Sequence, residues 1–159
     1  MSRLTWAIVA ILIALGLYGV YVNRSSNEEL RNFLGMWQGK LNAGPQSMKG
    51  YLRFKGGRKE FELHLEAAQQ EIDLKGNWTL VKPTQMELKV TDVKVNDFGG
   101  ASKRDPNKPY IPNADVQSAY GKPLVFTLAP DKQTLTSLPI TFGQLTASHE
   151  FKKTWGNIQ

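Results

Sequence analysis

His64 and His149 are the two histidines in a chain of 159 residues that has no cysteine. That pair, with the acidic residues around it, bounds the chemistry available. Without cysteine there is no disulfide framework, thiolate metal site, cysteine nucleophile or lipidated N-terminal cysteine. His64 stands in "EFELHLEA" among Glu60, Glu62 and Glu66, alternating with Phe61, Leu63 and Leu65. A period of two places the imidazole and the carboxylates on one face of a strand, a set that could hold a metal ion or relay a proton. The same alternation makes that face a solvated, charged one, which is the reading adopted. His149 shares its face with Leu145 and Phe151 and reads as a partly buried histidine with its hydrogen bonds satisfied. No glycine-rich phosphate loop, paired-histidine zinc motif or nucleophile elbow occurs. Asn77-Trp78-Thr79 fits a glycosylation sequon but falls within a strand pattern and is discounted. The expectation is a protein with no catalytic residues, no metal site and no cofactor, and not an enzyme.

The formal charge is +6, from 20 Lys+Arg against 14 Asp+Glu. Such a balance favours anionic surfaces, although the basic residues are scattered as on a solvated exterior. Nucleic-acid readers built on a sheet need exposed aromatics interleaved with cations. Here the aromatics alternate to the apolar face, Tyr51 beside Lys49 and Arg53 excepted, so no nucleic-acid partner is expected.

The elements that carry these residues begin with "LTWAIVAILIALGLYGVYV", residues 4–22, which has no charged residue. As a helix it would be about 28 Å long, close to the hydrocarbon thickness of a bilayer. Trp6 lies near one end and Tyr18 and Tyr21 near the other, as interfacial aromatics do. A cleaved signal peptide has a shorter apolar core and a small-x-small site; "GVYVNRSS" offers none, so an uncleaved anchor is expected over residues 1–23. Arg3 favours a cytoplasmic N-terminus, against a weaker pull from Arg24 and Arg31. This points to a single-pass protein whose C-terminal domain is non-cytoplasmic, periplasmic in a bacterium. Residues 24–34 read as a polar linker running into a short helical turn, and residues 35–159 as one β domain.

In that domain the dominant period is two. Gly56-Gly57 signals a two-residue hairpin that would set Leu52 opposite Phe61 and Met48 opposite Leu65. Around Lys82-Pro83-Thr84, matching polarity sets Leu80 opposite Met86, Trp78 opposite Leu88 and Gly76 opposite Val90. Beyond Gly76 the match requires an extra residue near Thr91-Asp92, predicting a β-bulge that restores Leu74 with Val93 and Ile72 with Val95. Further strands over Leu124–Leu128, Thr134–Leu138 and Leu145–Lys153, with one from Trp37, make eight in an antiparallel meander. Such a sheet closes into a barrel or folds over as a sandwich. Residues 96–122 form a long connection without clear period, expected to be a lid or binding loop. Lys103, Arg104 and Lys108 make it basic; Tyr110, Ile111 and Tyr120 give it something to pack with.

A short helical turn, Gly35-Met36-Trp37 at the first strand and an up-and-down meander together resemble the lipocalin and calycin group. The resemblance implies an eight-to-ten-stranded barrel that in many members holds a small lipophilic ligand. It also implies that Trp37 closes the barrel base against a basic side chain near the last strand, Lys152 or Lys153 here where the group usually has arginine. The leading expectation is a membrane-anchored module binding a small lipophilic ligand through Phe54, Phe61, Trp78 and Phe126, with residues 96–122 as a flap. The alternative is an accessory subunit of a membrane or envelope complex, its barrel filled by side chains and its loop docking a membrane-protein partner.

Overall fold

The alternating pattern becomes nine antiparallel strands, with a short helix between the fifth and sixth, in a computed structural model that describes residues 11, 13, 15, 29–44, 46–98, 105 and 108–154. The strands are β1 (Gly35–Ala43), β2 (Gln46–Lys55), β3 (Glu60–Glu66), β4 (Gln70–Lys82), β5 (Gln85–Asp97), β6 (Leu124–Leu128), β7 (Thr134–Ser137), β8 (Ile140–Phe142) and β9 (Leu145–Lys153). The helix, α1 (Asn113–Tyr120), precedes β6. Neighbours pair in chain order from β1 to β7, β7 pairs with β9, and β9 returns to β1, so the sheet closes on itself.

β7 and β8 share one edge of β9. Four steps from Thr136 to Ile140 face three from Glu150 to Ala147, so the two form one wall strand interrupted by a bulge at Leu138-Pro139. The barrel therefore has eight strand positions around its wall. Closure leaves no free edge along most of that wall, the usual remedy for unpaired strand edges.

The β4–β5 pairing has Leu80 opposite Met86, Trp78 opposite Leu88 and Gly76 opposite Val90. The register shifts between Lys75 and Gly76, Thr91 is the extra residue, and Leu74 then faces Val93 and Ile72 faces Val95. The β2–β3 pairing differs from expectation. Leu52 faces Leu63, not Phe61, and Gly50, not Met48, faces Leu65. The turn holds four residues, Gly56 to Lys59, with Lys59 at φ 53°, so the ladder slides by two and every side chain keeps its face. Two contacts fix this register. Phe54 meets Phe61 on the inner face, and Gly50 lies so close to the His64 backbone that a Cβ would overlap its carbonyl oxygen.

Residues 96–122 are not aperiodic throughout. Val116, Ala119 and Tyr120 are the buried side of α1, with Pro112 before the helix and Gly121 after it. That is the i, i+3, i+4 spacing of a helical stripe, compressed into eight residues. α1 packs against β8 and β5. It lies where the wall is thinnest, because β6 pairs only with Gln85 to Leu88 of β5.

Two compact units divide the chain, Met1–Asn32 and Phe33–Gln159, and the barrel belongs to the second. Among the described residues no helix is long and apolar enough to cross a membrane. The expected span, residues 4–22, lies outside them apart from Ile11, Ile13 and Leu15, which are helical and exposed.

Candidate functional site

Strand polarity sorts the side chains into a lumen and an outer face. The end of the barrel that holds the start of β1, the end of β9 and the β2–β3, β4–β5 and β6–β7 turns is called the base. There Trp37 is fully buried. Its indole N–H donates to the Phe33 carbonyl at 2.8 Å, and Lys153 Nζ lies 5.3 Å from the ring centroid. Partial burial lowers the Lys153 pKa. Gly35 at φ 113° turns the chain from the residue 29–33 helical segment into β1, a conformation that favours glycine.

Above Trp37 the lumen is occupied by apolar side chains. Phe54, Phe61, Trp78 and Phe126, the residues expected to contact a ligand, are 3%, 1%, 2% and 0% exposed. Phe54 packs edge-on to both Phe33 and Trp78 at 6.4 Å, and Phe126 packs on Phe151 at 6.2 Å. The rings touch one another, as in a protein core.

At the opposite end, the top, α1 inserts Tyr120 beside His149. The Tyr120 hydroxyl and His149 Nε2 are 3.1 Å apart, and Ser137 Oγ lies 3.2 Å from His149 Nδ1. Ser137 Oγ also accepts the His149 backbone N–H at 2.8 Å, at the bulge where ladder hydrogen bonds are interrupted. Both histidine nitrogens therefore meet a hydroxyl, which suits a neutral imidazole with one donor and one acceptor. Complete burial pushes the His149 pKa down to about 3 and the Tyr120 pKa up. A serine against an imidazole has the outline of a nucleophile and its base, yet here the second nitrogen is held by Tyr120 and the imidazole is fully buried.

Two glutamines hold the connection that carries α1. Gln70, fully buried, accepts the Ile111 N–H at 3.0 Å and donates to the Ile111 carbonyl at 2.7 Å. Gln69 accepts the Asp105 N–H at 2.6 Å and donates to the Asp105 carbonyl at 3.0 Å. Each side-chain amide stands in for a strand partner. Sequence reasoning missed both, since "AAQQE" between two strands reads as a polar turn and nothing in its pattern marks burial.

On the outer wall His64 Nδ1 lies 2.8 Å from Asp73 Oδ1 and 3.5 Å from Glu71 Oε1. These three form a group of metal-ligand type among the described residues. The cleft at His64 and Asp73, about 210 Å³, is also lined by Tyr51, Lys75 and Lys94. Tyr51 stacks on the imidazole at 5.1 Å, and Lys94 is the cross-strand partner of Asp73. With lysines at the rim and the imidazole hydrogen-bonded to a carboxylate, the arrangement is that of a polar cross-strand network on a sheet surface. Nearby, Lys55 donates to Glu62 at 2.7 Å, a hydrogen bond that holds the Glu62 carboxyl below its ordinary range.

The remaining expected contact residues separate. Lys108 is exposed and pairs with Asp105 at 3.6 Å, and the Tyr110 hydroxyl donates to Asp97 at 3.3 Å. Tyr120, expected on the loop's contact surface, is buried under α1. Lys103 and Arg104 lie outside the described residues. Searches against protein-family models, curated proteins and solved structures return no match to this chain, so the likeness to the lipocalin group stands at the level of a closed eight-stranded antiparallel barrel.

Proposed function

We propose that this protein is a non-catalytic interaction module, a side-chain-filled barrel tethered to a membrane by residues 1–23 and serving as an accessory subunit of a membrane or envelope assembly. The observation that carries this reading is the lumen. Phe54, Phe61, Trp78 and Phe126 contact other core rings or lie fully buried, and α1 places Tyr120 across the top. The uncharged segment 4–22 supports the tether. Partner contact falls to the top, where Phe98 is 47% exposed at the start of the connection that continues to Lys108 and Tyr110.

The ligand-carrier reading ranks second and rests on one feature. Between α1, β6 and β8 lies a cleft of about 210 Å³ lined by Ala119, Leu124 and Ile140 among others. That is smaller than the roughly 300 Å³ or more of small-molecule sites. Native mass spectrometry of the full chain, released from membranes in mild detergent, separates the readings. A single apo mass is expected. A reproducible lipophilic adduct lost on denaturation would overturn the filled-barrel reading in favour of the carrier.

A further inference from the structure

The two ends of the barrel differ in charge. An up-and-down barrel brings alternate turns to the same end, so the base collects the β2–β3, β4–β5 and β6–β7 turns with the end of β9. Those segments present Arg58, Lys59, Lys82, Lys132 and Lys152, all exposed. The acidic residues at this end are Glu60, half-buried at the start of β3, and Asp131, whose oxygens are taken by the Gln133 and Thr134 N–H groups and the Thr134 hydroxyl. Apolar side chains accompany the cations, with Met36 38% and Val81 54% exposed. Among the described residues the top has no such bias. Glu66, Glu71, Asp97 and Asp115 sit there with Lys108 and Lys122.

The base is also where the chain enters the barrel, at Gly35. Residues 23–34 separate that point from the apolar segment 4–22. Twelve residues reach at most about 40 Å when fully extended. The tether therefore enters the domain at the same end as these cations. Cations with a few exposed apolar side chains are the composition that adsorbs to anionic head groups.

We propose that the basic base of the barrel is a docking surface for anionic phospholipid head groups, laid on the leaflet from which the anchor emerges. This rests on the tether proposed above. Each basic side chain brought to such a surface gives about a five-fold gain in occupancy. Losing three would lower the docked population about a hundred-fold.

Because the chain has no cysteine, single labels report position cleanly. Gly57→Cys, in the β2–β3 turn with open space around it, marks the base; Gln144→Cys, in the β8–β9 turn, marks the top. The full-length chain is reconstituted into phosphatidylcholine vesicles with and without phosphatidylglycerol, and label quenching by nitroxide-headgroup lipid is read. Strong quenching at the base and little at the top is expected with phosphatidylglycerol. It should fall to the top's level in pure phosphatidylcholine or in about 1 M salt, where the Debye length is about 3 Å. The triple variant Arg58→Gln/Lys82→Gln/Lys152→Gln should lose it while keeping its β circular dichroism. Equal quenching at both ends, or quenching at the base indifferent to lipid charge and salt, would overturn the docking surface. Alkaline extraction of the same vesicles tests the tether independently. A chain that washes off overturns the anchor, and one that stays embedded with an unquenched base overturns only the docking.

Discussion

At the base, Trp37 sits in the first strand, donates its indole N–H to the Phe33 carbonyl four residues earlier, and meets Lys153 across the β1–β9 ladder. At the top, closure comes from α1, an excursion inside a long connection, held by Tyr120 on His149 and by Gln70 on Ile111. One closure is continuous with the wall; the other is an inserted segment that combines the apolar side of α1 with buried hydrogen bonds. Apolar burial in the ladder is lost only when the ladder itself opens. A segment inserted between strands, which buries only one short helical face, can release by itself, as locally unfolding units do. The base should therefore govern global stability and the top a local opening.

Trp37→Ala breaks the comparison hardest. A fully buried tryptophan truncated to alanine costs about 3–5 kcal/mol. The urea midpoint should fall by a matching amount with the slope retained. A variant that keeps its midpoint would place the keystone elsewhere in the barrel.

Next comes pH, acting at the top. The folded-state pKa of His149 lies at about 3, below its ordinary 6.5, because burial disfavours the cation. Between those values the unfolded chain binds a proton that the folded barrel does not. Stability from this residue is thus complete above about pH 6.5, declines as pH falls, and levels off below about 3. The slope within the window is about 1.4 kcal/mol per pH unit. Urea titrations of the wild type and His149→Gln at several pH values, taken as a difference, isolate it from the carboxylates. A difference that stays flat from neutral pH to pH 4 would mean the imidazole is hydrated in the folded state.

Tyr120→Phe sharpens the same contrast at smaller amplitude. Removing the hydroxyl leaves His149 Nε2 buried without its partner, at about 1–3 kcal/mol. Amide exchange in α1 and around Ile111 should accelerate more than exchange in β1 and β2. In Tyr120→Phe/His149→Leu both partners are apolar and part of the loss should return. Uniform acceleration across the barrel would show that the top is no separate unit.

What the sequence revealed follows the same division. The β4–β5 register and its bulge were legible because a strand facing a core must keep its apolar residues on one side, so one misplaced Asp92 exposes the extra residue. The β2–β3 register was not legible, since a slide of two residues leaves every face unchanged and only the contacts of Gly50 and Phe54 decide it. Trp37 and its lysine partner were expected from the resemblance to the lipocalin group. The Tyr120–His149–Ser137 cluster and the paired glutamines were not. Their partners lie 29, 12, 36 and 41 residues away, and no local pattern encodes a hydrogen bond across that distance.

Lys153→Met is the smallest effect and the finest test of the base. Two contributions oppose each other there. The ammonium above the Trp37 ring gains about 0.5–1 kcal/mol from the ring's negative face. Partial burial disfavours the same charge, which is why its pKa is lowered. Methionine keeps the alkyl cover over the indole and removes the charge, so the net loss should not exceed about 1 kcal/mol. Lys152→Met supplies the control, because Lys152 is exposed and its change should leave the urea midpoint unmoved. Equal shifts for the two variants would mean that general surface charge, not the ring contact, is being measured. A gain in stability from Lys153→Met alone would mean that desolvation outweighs the cation–π contact, leaving the base closed by apolar burial with the lysine as its cover.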